Sequence, residues 1–159
     1  MTALDWAMAT SPGEPPAASY CSTDGDWHGR FDKFVPYIRA EGVSDRNLSL
    51  VASIAGEIGD NCFTHNVGTW RDVRGCWFEW SVQRELRELC WVIADRGQGI
   101  LSSFAVVRPD LATHRDALHV ALTEQITSRQ PEDRGRGLKV VVQILTKLGG
   151  GSFIFQSGD

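Results

Sequence analysis

The apolar positions fall into two periods that succeed one another along the chain. Leu48, Val51, Ala52, Ala55, Ile58 and Cys62 recur at i, i+3, i+4 spacing and predict a long amphipathic helix over NLSLVASIAGEIGDNCFTHN. Ser44 or Asp45 caps its start and Gly68 closes the segment. Upstream, the pattern from Arg30 to Ala40 predicts a shorter helix ending at Gly42. Pro36 is a contrary signal inside it, because proline lacks an N–H and crowds the preceding turn. Downstream the period falls to two. GCWFEWSVQ alternates, with Cys76, Phe78, Trp80 and Val82 on one face, and predicts a strand. After a charged turn (Arg84, Glu85, Leu86, Arg87), ELCWVIADRG is apolar through most of its length, which predicts a central strand buried on both faces.

Next come GILSSFAVV, a break at Pro109, the amphipathic stretch HRDALHVALTEQI, and the polar loop TSRQPEDRGRG. LKVVVQILTKL predicts a helix ended by Gly149 to Gly151, and SFIFQ predicts the start of a strand. That strand has no hairpin partner before Asp159, so the expectation is a chain cut short or a strand supplied from elsewhere. Residues 1–26 are rich in Pro, Ala, Ser and Gly (TSPGEPPAAS, then STDGD), a composition poor in surface to bury. They predict a flexible N-terminal arm or loosely attached edge segment ahead of a single domain over 27–159.

Composition narrows the classes. A length of 159 residues with 42% hydrophobic content suffices for one domain with a real core. The net charge of −4 gives no attraction to nucleic acid, and no apolar run is long enough to span a bilayer. The start, MTALDWAM, lacks the basic and apolar regions of a secretory signal. Cys21, Cys62, Cys76 and Cys90 are widely spaced, with no CxxC pair and no zinc-ligand register. Three of the four fall in helix or strand segments, so the expectation is reduced, buried thiols in a cytoplasmic protein. Trp70, Trp77, Trp80 and Trp91 read as core packing or a partner surface, since an acidic chain is a poor single-strand platform.

Three polar clusters carry candidate chemistry. Glu57, Asn61 and His65 lie one helical turn apart on a stripe beside the apolar face. An exposed helix tolerates these residues at any spacing. Asparagine, however, is a poor mid-helix residue, its amide oxygen suits Mg²⁺, and a glutamate one turn away can accept a proton. The second cluster, Asp95-x-Gly97-x-Gly99-Ile100, stands at the exit of the apolar strand. It is good turn chemistry. It also offers a carboxylate to an exocyclic amine, with glycines making room for a flat ring. The third, Arg134-Gly135-Arg136-Gly137-Leu138, opens a helix, where free N–H groups and the helix dipole favour an oxyanion. On its own it reads equally as a loop needing unusual dihedrals.

Taken in order, the clusters resemble the GHKL, or Bergerat-fold, ATPases. EIGDNCFTH is similar to a histidine-kinase N box, IADRGQGI to its G1 box and RGRGL to its G2 box; the likeness runs from about residue 30 to the end. The resemblance implies an α+β fold: a two-layer α/β sandwich of the Bergerat type, its mixed, mostly antiparallel sheet covered on one face by helices. It implies a pocket for ATP and Mg²⁺. Asn61 would ligate the metal, Glu57 would be the catalytic base and His65 would approach the phosphates. Asp95 would hold the adenine amine, with Gly97, Gly99 and Ile100 shaping that end. Gly135, Arg136, Gly137 and Leu138 would line the phosphate side. Residues 101–134 would form a lid in which Ser128 and Arg129 meet the γ-phosphate, an exposed polar loop being the equal alternative.

The departures from the family point to a type. A sensor histidine kinase carries a dimerising hairpin with a phospho-accepting histidine before this domain. Here only a short arm precedes it, and His28 lies in no such hairpin. The architecture is closest to stand-alone anti-sigma or serine-kinase regulators. The expectation is a cytoplasmic Mg·ATP-binding protein that phosphorylates Ser or Thr of a small STAS-like or sigma-factor-like partner, with a homodimer as a further option. Two alternatives stand beside it: a non-catalytic ATP-dependent switch, and the ATPase domain of a larger protein.

Overall fold

The computed structural model describes residues 1–66, 68–124, 137–148 and 150–158. Among these the protein is α+β, with six helices and one three-stranded antiparallel sheet of order β1-β2-β3. It divides into two compact units, Met1–Gly97 and Gln98–Asp159.

In the first unit, α2 (Asp24–Ala40) and α3 (Asp45–Thr64) pack on a sheet made of β1 (Tyr20–Cys21), β2 (Cys76–Gln83) and β3 (Glu88–Asp95). The Ser44 hydroxyl caps α3 by accepting from the Asn47 N–H, and Leu48, Val51, Ile54, Ala55, Gly59, Cys62 and Phe63 are buried. Helix α2 starts at Asp24, earlier than the Arg30 expected. Thr23 and Asp26 form a reciprocal capping box there, and the helix continues through Pro36. Trp27 is fully buried, stands 5.0 Å from Phe78 between ring centroids, and donates from Nε1 to Asp60 Oδ1 at 2.8 Å. Gly59 is required beneath it, since a Cβ at that position would run into the indole ring.

Strands β2 and β3 form a hairpin in which Trp80 faces Trp91 and Cys76 faces Asp95. The sequence placed ELCWVIADRG at the centre of the sheet. Among the described residues the middle strand is β2, and β3 pairs on one side only. Its half-exposed pattern is that of an edge.

Residues 1–26 also depart from the expected flexible arm. Thr2 and Asp5 cap helix α1 (Ala3–Met8), and Trp6 is fully buried, donating from Nε1 to the Gly13 carbonyl at 2.9 Å. Trp6 packs with Ala3 on Trp77, Val92 and Ala94, whereas Phe78, the next residue of β2, meets α2. Both faces of the sheet therefore carry a helix, where helices were expected on one face only, because the Trp6 indole gives α1 an apolar surface to bury. Burial of two tryptophans against each other supplies the driving force that a Pro- and Gly-rich composition conceals.

The second unit holds α4 (Gly99–Phe104), α5 (His114–Thr123) and α6 (Gly137–Leu145) around Phe104, Val120 and Ala121. Thr113 caps α5 by accepting from the Asp116 N–H at 3.1 Å. The strand expected from SFIFQ does not form: residues 150–158 carry no regular structure, and Ile154 is 91% exposed. A strand needs a neighbour for its backbone groups, and the described residues of this unit offer none.

Candidate functional site

Asp95 is the last residue of β3, and its carboxylate gathers donors from three other residues of the first unit. Oδ1 accepts from the Gly97 N–H at 2.7 Å and from Asn66 Nδ2 at 3.0 Å, and the Cys62 thiol lies against the same group. Burial pushes the Asp95 pKa up, while these donors and the nearby Arg71 pull against that shift. Asn66, buried just past the end of α3, also donates to the Cys62 carbonyl at 2.9 Å. One amide thus caps the helix and braces the carboxylate.

Gly97 has an ordinary φ, so the glycine is required by space; a Cβ there would collide with the Asn66 amide. Gly97→Ala is accordingly expected to dislodge Asn66 and cost about 1–3 kcal/mol of unfolding free energy. Urea denaturation measures it, and a change below about 0.5 kcal/mol, the scale of an ordinary surface substitution, would contradict this packing.

Glu57, Asn61 and His65 fall on successive turns of α3 and its cap. Glu57 is exposed, and Asn61 and His65 are half-buried. His65 is the C-cap residue, its N–H donating to the Asn61 carbonyl at 3.2 Å. The stripe, Asp95 and Gly97 all belong to the first unit. Gly99, Ile100, Gly137 and Leu138 belong to the second. There Gly99 opens α4 at φ +73°, and the Ile100 N–H donates to Ser157 Oγ at 3.0 Å. Gly137 opens α6, and Leu138 packs against the Phe104 cluster. Ser128, Arg129, Gly135 and Arg136 lie outside the described residues.

Three residues absent from the sequence-based set shape the surroundings. Asn66 is one; Arg96 and Asp72 are the others. Arg96, the residue between Asp95 and Gly97 in sequence, has a buried side chain that meets Asp72 through two parallel bonds, Nε to Oδ1 and Nη2 to Oδ2, each 2.8 Å. Its Nη1 donates to the Trp6 and Ala7 carbonyls at 2.8 and 2.7 Å, and the guanidinium lies over the Trp6 ring. The guanidinium holds the Asp72 carboxyl down at about 2, against an ordinary 3.8. An arginine at the exit of an apolar strand, with a tryptophan in the supposed arm, was the available signal.

The cysteines are partly redistributed. Cys21, Cys62 and Cys76 are buried, whereas Cys90, which sits within the apolar run, is exposed. Cys90 helps line a concavity of about 360 Å³ over the hairpin, with Glu79, Trp80, Ser81, Trp91 and Val92; none of these is a candidate residue. Among the described residues no group of three or more His, Cys, Asp or Glu side chains is gathered for a metal, and no helix is long and apolar enough to cross a membrane. Comparison with known proteins gives no match: no family model, curated protein or solved structure aligns with the chain.

Proposed function

We propose that the protein is a Mg·ATP-binding regulator of the GHKL, or Bergerat, type that phosphorylates Ser or Thr of a small STAS-like or sigma-factor-like partner. One observation carries the reading. A partly buried carboxylate at the end of β3 is braced by an amide from the end of the helix that carries Glu57, Asn61 and His65. This brings the N-box-like and G1-like segments together in one unit. Helices α2 and α3 packed on the β2–β3 hairpin support the same reading.

The residues fit the ligand. A partly buried carboxylate whose one oxygen is already fixed by two donors is oriented to accept from an adenine amine. Magnesium, when bound, neutralises phosphate charge and holds the oxygens in place. Such an ion leans on water and phosphate and takes few protein ligands, so Asn61 can serve without a carboxylate cluster around it. His65 continues the stripe towards the phosphates, and Glu57 takes the proton of an attacking hydroxyl. Gly99 and Ile100 are assigned to the base end. Ser128, Arg129, Gly135, Arg136, Gly137 and Leu138 are assigned to the phosphates.

A second reading has its own support. Among the described residues no hydrogen bond or ion pair holds the Glu57 side chain. That suits a non-catalytic switch, in which ATP alters a binding surface without transfer. One experiment separates the two. The protein is incubated with γ-labelled ATP, Mg²⁺ and a STAS-domain protein, beside Asn61→Ala and Glu57→Ala. The kinase reading expects labelled partner, loss of Mg-dependent binding in Asn61→Ala, and retained binding without transfer in Glu57→Ala. Bound ATP with no label anywhere selects the switch. Absence of calorimetric ATP binding to the unaltered protein removes both.

A further inference from the structure

Three buried thiols form one cluster that the nucleotide reading does not use: Cys21 ends β1, Cys76 starts β2 and Cys62 lies on α3. Cys21 and Cys76 stand directly opposite in the antiparallel register, their thiols lie against each other, and Cys62 lies against Cys76. The Phe78 N–H donates to the Ser19 carbonyl at 2.8 Å. Cys21 and Cys76, two residues along each strand, are therefore a pair of the same hydrogen-bonded class, whose Cα atoms stand about 5.5 Å apart. A disulfide bridges Cα separations of about 4.4–6.8 Å, and drawing the two Cβ atoms to the roughly 4 Å it needs asks only for a small shift of the two-residue strand β1. Gly75 permits the approach, because a Cβ at its φ of +95° would strike the Cys21 carbonyl.

We infer that Cys21 and Cys76 are a redox-active dithiol that takes a low-molecular-weight disulfide as its oxidant. Access comes through β1, which is two residues long and borders the sheet, so that fraying exposes both sulfurs without unfolding the helices. The Cys21 thiolate attacks one sulfur of the small disulfide and expels the first small thiol. Cys76 then attacks the Cys21 sulfur of the mixed disulfide and expels the second. One S–S bond breaks and one forms; the two protons and two electrons lost by the protein leave in the two small thiols. Cys21 acts first: its pKa is drawn down by the adjacent Cys76 thiol and by Arg30, whereas Cys76 is held well up by the adjacent Cys21 and Cys62 and by burial.

The test places the native protein in glutathione buffers from fully reduced to fully oxidised, followed by acid quench, alkylation and peptide mass mapping. The expected product is a Cys21–Cys76 cross-linked peptide in most molecules at the oxidised end, reversed by dithiothreitol. Closing a loop of about 55 residues should raise the unfolding midpoint by roughly 10 °C. Exposed Cys90 is the internal control and becomes glutathionylated. Cys62→Ala should keep the cross-link, although the mapping on the unaltered chain decides the matter without it. Cys21 and Cys76 remaining fully alkylatable on denaturation while Cys90 is modified would overturn the inference, and so would a bridge from Cys76 to Cys62.

Discussion

Asp95→Asn is expected to weaken Mg·ATP binding about 10–100-fold while leaving the unfolding midpoint at neutral pH equal to or above that of the unaltered protein. The two halves have separate causes. The binding loss follows from exchanging a charged acceptor for an amide whose N–H₂ confronts the adenine amine, a contact worth about 1.5–3 kcal/mol. The stability result follows from burial. Asparagine keeps an Oδ1 for the Gly97 N–H and the Asn66 amide but carries no charge to desolvate. The sign with pH is fixed by the raised pKa. Asp95 favours folding fully below its unfolded value of 3.8, and that contribution is lost as pH rises through the folded value. The asparagine variant lacks this slope. Calorimetry with ATP and with adenine-free triphosphate, beside melting curves across pH, reads all of it. A variant that melts early and binds ATP normally would make Asp95 a structural residue and end its assignment to adenine.

Arg96→Met should lower unfolding free energy by about 2–4 kcal/mol, since the guanidinium is buried and supplies charged donors to main-chain carbonyls, while Asp72 itself stays in contact with water. The loss has three parts: the paired bonds to Asp72, the caps on the Trp6 and Ala7 carbonyls, and the seat of the Trp6 ring. Arg96→Lys should recover little, because an ammonium cannot reproduce a bidentate fork. Acid unfolding supplies an independent readout. The depressed Asp72 pKa contributes stability that is present above 3.8 and lost as pH falls towards about 2. In the methionine variant this acid-sensitive increment should vanish, and adding Asp72→Ala should cost little more. Additive losses in urea would show that the two side chains act separately.

The long helix and the hairpin were legible because their periods are strong and local. The features that escaped depend on partners far along the chain. Asn66 finds Asp95 29 residues later, and nothing in HNV announces it. STDGD reads as a loop until Thr23 and Asp26 are recognised as reciprocal caps, after which α2 gains its first turns. Cys21 looked peripheral because its segment looked loose, yet pairing with β2 buries it; Cys90 sits in an apolar run but on the open side of an edge strand. Asp95 and the helical stripe were identified by residue type at a given spacing, which composition preserves. Their mutual bracing required the fold.

Arg96 reaches back 90 positions to collect the carbonyl of Trp6. Translation that initiated beyond Ala9 would leave a sequestered cation with half of its acceptors gone and an indole-shaped gap on Trp77, one residue away from the proposed base-recognition carboxylate. The turn that follows that carboxylate is thus anchored from the far end of the unit, by main-chain atoms of the first helix.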